Sequence, residues 1–270
     1  MINRPIEKLA DEVRASYGQT SSPVSLDTIA EGEGISLVSI EKCEGFHGRI
    51  EFLREAASFV IYHPDPNSAP NRKRVRFSIA HELGHYFIEP HRELLVAGKS
   101  HNSTPGFICD NELEVEADEF AAALLIPRAH IEQRLQRRSF MTLAEILKMG
   151  DDWQSSARSA TIRYVRYTGE ACAMVVSKQQ GKLTKYIPSD EAEALGFRFT
   201  GLKTVPEGST ASRLHNDNSK QNIEESHTTT KSWFPFLHGE HDLHEESFRL
   251  GNTGYVLSLL SISAEEDDQE

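Results

Sequence analysis

The chain has 270 residues, 38% hydrophobic and 26% charged, enough for one large or two small globular domains with a sizeable core. A formal net charge of −12 argues against nonspecific nucleic-acid binding by the whole surface, and no apolar run reaches the roughly 20 residues of a membrane span. Cys43, Cys109 and Cys172 are far apart with no C-x-x-C pair, so neither a disulfide framework nor a Cys-based metal site follows. Without a signal-like apolar stretch after Met1, a cytoplasmic setting is expected.

Ile6, Leu9, Ala10 and Val13 recur at helical spacing over residues 5–17, and Ser25 is placed to cap a short helix over 25–30. Three strands are predicted at 35–40, 46–53 and 58–63, followed by a Pro-rich loop over 63–70. A helix over 71–88 comes next, ending before Pro90, with Arg72, Arg74 and Arg76 read as solvated residues at its start. Residues 91–110 read as a loop, and 112–126 as a second strong helix that Pro127 stops, with Ala117, Phe120, Ala121, Leu124 and Leu125 on its packing face. After a basic stretch, Thr142-Leu143-Ala144-Glu145 reads as a capping box, Gly150-Asp151-Asp152 as a turn, and 153–167 as another helix. Beyond residue 170 a hairpin is predicted from 173–177 and 183–187. A flexible Ser/Thr/Asn-rich insertion over 207–231, a last strand over 254–262 and an acidic tail complete the chain.

The helix over 71–88 carries His81-Glu82-Leu83-Gly84-His85, an H-E-x-x-H pattern. Residues four apart share a helix face, so both imidazoles can reach one Zn²⁺ while Glu82 lies beside them as a general base for hydrolysis. Apolar residues on both sides of the histidines predict a helix buried all round. Gly84 costs about 1 kcal/mol of helix propensity relative to Ala, which a helix tolerates where another backbone passes close by.

A catalytic zinc site needs a third protein ligand. His91 stands at one known offset, but Ile88 occupies the place where that arrangement needs a glycine, and Pro90 stiffens the approach. The helix over 112–126 offers Glu112, Glu114, Glu116, Asp118 and Glu119 instead. Spacing favours Glu114 without settling it, because Asp118 is then four residues on, where a carboxylate can orient a ligand histidine.

The blocks Arg76-Phe77-Ser78-Ile79-Ala80-His81-Glu82-Leu83-Gly84-His85-Tyr86 and Glu114 to Pro127 resemble the ImmA/IrrE family of bacterial and phage metallopeptidases. That family's second block reads roughly E-x-x-A-N-x-F-A-x-x-L-L-x-P, and its leading Glu is the third zinc ligand. Matched residue by residue, that Glu is Glu114. Asp118 stands where the family more often has Asn, which changes the charge but keeps an acceptor. The resemblance spans about residues 5–170. It implies a Zn²⁺-dependent protease whose protein substrate is an XRE-type helix-turn-helix repressor, with no membrane partner.

The expected architecture is α+β. A zincin-like metallopeptidase core with a small sheet fills 1–140, a helix-turn-helix-like pair 141–169, and an α/β or β-rich module 170–262, with 263–270 an acidic tail. The expected site is Glu82 as catalytic base, His81, His85 and Glu114 on the metal, and Asp118 behind a ligand histidine. Tyr86, His47 and Tyr164 are candidate donors to the oxyanion, and an edge strand near 48–52 could hold substrate by β-augmentation. Two other functional readings compete. One is a non-proteolytic repressor-binding protein with a zinc site. The other is DNA binding by the helix pair through Arg158, Arg163 and Arg166, which the acidic whole opposes; the plainer account leaves those arginines on a solvated face. His238, His241 and His244, at three-residue steps, read as a solvated His-rich segment rather than a second metal site.

Overall fold

The computed structural model describes residues 4–20, 23–40, 48–67, 72–98, 112–137, 140–198, 202–216, 223–251 and 253–262. Cys43, His47, Cys109 and the acidic tail lie outside the described residues. The chain divides into two compact units, Met1–Arg128 with Gly150–Ser156, and Ala129–Met149 with Ala157–Glu270. The fold is mixed α+β, with a three-stranded sheet in the first unit and a five-stranded sheet in the second.

The first unit holds α1 (Arg4–Ser16), α2 (Leu26–Gly32), β1 (Ser36–Ile40), β2 (Arg49–Leu53), β3 (Ser58–Pro64), α3 (Arg72–Phe87), α4 (Glu89–Val96) and α5 (Glu112–Leu125). Ser25 caps α2 by accepting a hydrogen bond from the Thr28 amide. β3 is central, parallel to β1 and antiparallel to β2, and the registers set Ile61 opposite both Leu37 and Ile50. Ile50 and Ile61 are fully buried, and β2 forms one edge of the sheet.

α3 and α5 pack directly on one another, and α3 also touches β2 and β3. Eight consecutive residues of α3, Ser78 to His85, are buried, as the apolar flanks on both sides of the motif require. The packing face of α5 is Ala117, Phe120, Ala121, Leu124 and Leu125, all fully buried; each large side chain among them contributes about 1.5–3 kcal/mol. α1 packs on α5 as well, and the Arg14 guanidinium donates at 2.6 Å to the Leu124 carbonyl, one of the acceptors a helix end leaves without a partner. Burial lowers the pKa of Arg14 to about 10, yet Arg14 also lies over the Trp153 ring.

Two local expectations fail here. Residues 91–96 are helical rather than loop: Pro90 ends α3 but sits near the start of α4, where its missing N–H costs nothing. Arg76 is not a solvated residue, since it donates to the Val24 carbonyl at 2.8 Å, whereas Arg72 is exposed and bonds Asn67.

The second unit contains α6 (Arg128–Leu135), most of α7 (Leu143–Asp152), α8 (Ala157–Tyr167), β4 (Cys172–Lys178), β5 (Lys182–Pro188), α9 (Asp190–Ala194), α10 (Thr210–Asn216), β6 (Ile223–Thr229), α11 (Thr230–Trp233), β7 (Asp242–Arg249) and β8 (Val256–Ile262). Its sheet is antiparallel in the order β5-β4-β8-β7-β6, around a core of Val175, Phe197, Trp233, Phe234, Leu243 and Leu260. The capping box is present: the Thr142 amide donates to Glu145, and the Glu145 amide to the Thr142 hydroxyl. The turn expected at Gly150-Asp151-Asp152 falls later, because α7 runs to Asp152 and Gln154 takes the positive φ.

The described part of 207–231 is not the flexible insertion expected from its composition; residues 217–222 lie outside the described residues. Its described residues hold α10, β6 and the start of α11. β6 is an edge strand, which needs only one apolar neighbourhood, so its polar sequence misleads a compositional reading. The buried Glu245 carboxylate ties this segment to β7 by accepting from the Thr210 hydroxyl, the Ala211 amide and the Trp233 indole.

Candidate metal centre

The motif helix delivers its two histidines to one place. His81 Nε2 and His85 Nε2 face each other at 3.1 Å. Glu114, from the first turn of α5, places its two carboxylate oxygens 3.4 Å from His81 Nε2 and 3.3 Å from His85 Nε2. All three residues are buried, and their ligating atoms lie within 4.8 Å of one another; among the described residues no other group of His, Cys, Asp and Glu does so.

Gly84 sets the spacing of the two helices. A Cβ at residue 84 would stand 3.2 Å from the Cα and the carbonyl oxygen of Ala117 and 3.2 Å from Phe120 Cδ1. The backbone of α5 therefore passes directly against α3 between the two histidines, as the glycine in the motif predicted.

Behind the imidazoles, the Nδ1 atoms are also engaged. Asp118 Oδ1 accepts from His81 Nδ1 at 2.9 Å, while His85 Nδ1 lies 3.1 Å from His91 Nδ1 and His91 Nε2 lies 3.0 Å from Glu116 Oε2. Sequence reasoning set His91 aside as a third ligand, and the structure does not bring it to the ligating cluster. It missed that His91 is buried directly behind His85; the signal available was its one-turn offset past the helix break at Ile88.

Glu82 is fully buried, and its carboxylate lies against Gly48, where an added Cβ would stand 2.9 Å from Oε1. The cluster thus sets two imidazoles among three carboxylates, Glu82, Glu114 and Asp118. Burial alone would lower the pKa of His81, but its hydrogen bonds to Asp118 and Glu114 and the charge of Glu82 lift it to about 10. Such surroundings favour a cation, and the nitrogen and carboxylate donors suit a metal ion.

Other predicted participants are elsewhere engaged. The Tyr86 hydroxyl donates to Glu33 at 2.8 Å, and the Tyr164 hydroxyl accepts from the Met141 amide within the second unit. Arg163 is not on a solvated face: it is 2% exposed and stacks over Tyr167. His244 belongs to β7 and stacks on His227, so the histidine steps at 238, 241 and 244 do not form a unit. Cys172 is buried, which raises its thiol to about 12 and leaves it inert.

A buried His-His-Glu cluster shared by two helices, with a buried glutamate next to the first histidine, could hold a metal ion. Residues 50–160 match the family model Peptidase_M78, the IrrE N-terminal-like domain, which is consistent with the ImmA/IrrE resemblance. A solved structure described as a Mycobacterium tuberculosis transcriptional regulator shares the fold over 97% of this chain and 76% of its own, with a TM-score of 0.61 at 14% identity. No curated protein matches the chain. Among the described residues, no helix is long and apolar enough to cross a membrane.

Proposed function

We propose that the protein is a cytoplasmic zinc-dependent endopeptidase that cleaves, and so inactivates, an XRE-type helix-turn-helix transcriptional repressor. The observation that carries this reading is the convergence of His81, His85 and Glu114 beside the buried Glu82, within a stretch that matches a peptidase family. Zinc is the favoured ion because a tetrahedron with ~2.0–2.1 Å bonds has ligand–ligand edges of about 3.3 Å. The separations of 3.1, 3.4 and 3.3 Å fall close to that value.

When bound, Zn²⁺ supplies Lewis acidity, making water a nucleophile near neutral pH and polarising the scissile carbonyl. His81, His85 and Glu114 hold the ion, and Asp118 holds the His81 ring by its Nδ1–H. Glu82 carries the proton: its carboxylate takes one from the attacking water and passes it to the amine nitrogen as the C–N bond breaks. Burial of Glu82 beneath Gly48 keeps bulk water from competing for that proton. The outer edge of β2, which begins next to Gly48, is the place for an extended substrate strand.

The repressor as substrate rests on the family resemblance. Its test is incubation of the purified protein and Zn²⁺ with candidate helix-turn-helix repressors encoded nearby. Wild type should release a discrete fragment pair, and Glu82→Gln should keep stoichiometric zinc while cleavage falls roughly 10²–10⁴-fold. Equal action of both proteins on the repressor, with no fragments, would establish the non-proteolytic binding protein instead.

A further inference from the structure

His91 and Glu116 take no part in the chemistry above, yet they form a chain that runs from one metal ligand through a buried ring to a half-buried carboxylate. His91 is 2% exposed on α4, and its ring meets His85 through Nδ1 at 3.1 Å and Glu116 through Nε2 at 3.0 Å. The contact between two Nδ1 atoms is informative, because one must donate and the other accept. An ionised carboxylate only accepts. Glu116 therefore requires the proton of a neutral His91 on Nε2, which leaves His91 Nδ1 as an acceptor. His85 must then carry its proton on Nδ1, and its lone pair stays on Nε2, the atom that faces His81 and Glu114.

We propose that Glu116 and His91 are positioning residues that fix the tautomer and ring angle of His85, so that Nε2 is presented to the metal. Asp118 does the same for His81 directly, at 2.9 Å. One helix, α5, thereby supplies a ligand in Glu114 and the terminal acceptor behind each histidine. The indirect route to His85 has a geometric cause: α3 ends at Phe87, the chain bends at Ile88, and α4 starts with Pro90 in its first turn. That bend turns His91 in behind His85, between it and α5.

The inference rests on the metal-centre reading, and the test separates the two. Zn²⁺ affinity of the full-length protein is measured by competition with a chromophoric chelator, alongside the thermal midpoint of the metal-free protein. His91→Phe fills the ring's space but cannot accept from His85, and should weaken Zn²⁺ binding 10–100-fold, the range seen when such outer partners are lost. His91→Asn, with a carbonyl oxygen near the place of Nδ1, should restore affinity to within a few-fold of wild type. Glu116→Leu should cost about tenfold, and the double variant His91→Phe/Glu116→Leu should bind no more weakly than His91→Phe alone, because both act through one chain.

Affinity of His91→Phe within twofold of wild type, or losses that multiply in the double variant, overturns the proposal. A shift confined to the metal-free midpoint assigns His91 a packing role and also overturns it. If His91→Phe fails to fold, Glu116→Leu decides the matter, since Glu116 is on the helix surface with its side chain 33% exposed. Should His85→Ala leave Zn²⁺ affinity unchanged, the metal-centre reading fails and the relay falls with it.

Discussion

Gly84→Ala sets two known effects against each other at the closest approach of α3 and α5. Replacing a helical glycine by alanine gains about 1 kcal/mol of propensity. The new Cβ, however, would lie 3.2 Å from three atoms at once, Ala117 Cα, Ala117 O and Phe120 Cδ1. Carbon contacts settle at about 3.5–4.0 Å, so the helices must part by a few tenths of an ångström. Overpacking of this kind costs about 1–3 kcal/mol, and the upper half of that range applies because two of the three atoms are backbone and cannot rotate away. The expected net loss is about 1–2 kcal/mol in urea unfolding followed by Trp153 fluorescence in a Trp233→Phe background. Parting the helices also draws Glu114 away from the histidines, so Zn²⁺ affinity should fall by about tenfold, in line with the tolerance of roughly half an ångström for such sites. Ala117→Gly should not rescue the variant, because the contacts are with Cα and O, whereas Phe120→Leu should recover part of the affinity. A Gly84→Ala protein that is more stable than wild type, with unchanged zinc affinity, would refute the reasoning outright.

Three further outcomes are expected. Gly48→Ala should push on the Glu82 carboxylate, which an added Cβ would meet at 2.9 Å, so cleavage falls while zinc content stays at wild-type level; parallel loss of both would show that Gly48 supports the fold instead. Asp118→Asn keeps an acceptor for His81 and should bind Zn²⁺ within about threefold of wild type, while Asp118→Ala loses 10–100-fold in chelator competition; equal affinities for the two variants would remove Asp118 from the centre. In the second unit, burial raises Glu246 from 4.5 to about 7, although its hydrogen bond from the Leu143 amide works the other way. The folded chain then holds a proton that the unfolded chain has released, so stability declines as pH rises from about 4.5 to 7, by on the order of 2–3 kcal/mol, and is level above. Glu246→Gln should flatten that decline in urea midpoints read from Trp233 fluorescence in a Trp153→Phe background, and a retained slope would place its origin elsewhere.

The elements around the motif were legible because their burial leaves a periodic record. Ile79 and Leu83 on one side of α3, and Phe120, Leu124 and Leu125 on α5, are there to be buried, and Gly84 signals a close backbone. What misled the sequence reading was local chemistry with two meanings. Pro90 stops one helix but equally starts the next, which hid α4. Ser and Thr at 207–231 suggest a loop, yet Thr210 donates to the buried Glu245 and β6 needs little apolar surface at a sheet edge. Arg163 looked like a solvated cation and is instead buried over Tyr167. Partner identity decides such cases, and partners distant in sequence leave no periodic trace.

The acidic start of α5 shows how one segment can answer to several demands. Glu112 and Glu114 in its first turn suit the positive end of the helix in any protein, so their charge alone says little about function. Position along the helix separates them. Glu114 turns inward to both imidazoles, Glu116 reaches His91, and Asp118 reaches His81, so residues at every second place meet three histidines on α3 and α4. Glu114 and Glu82, both buried, with Asp118 at the rim against His81, would repel one another around rings that were only neutral. The proton drawn to His81 in the metal-free state and the cation proposed for the same space relieve the same imbalance. Affinity for metal and orientation of its ligands therefore have a common origin in α5. For that reason, substitutions at 116 and 118 should act on zinc binding before they act on the stability of the fold.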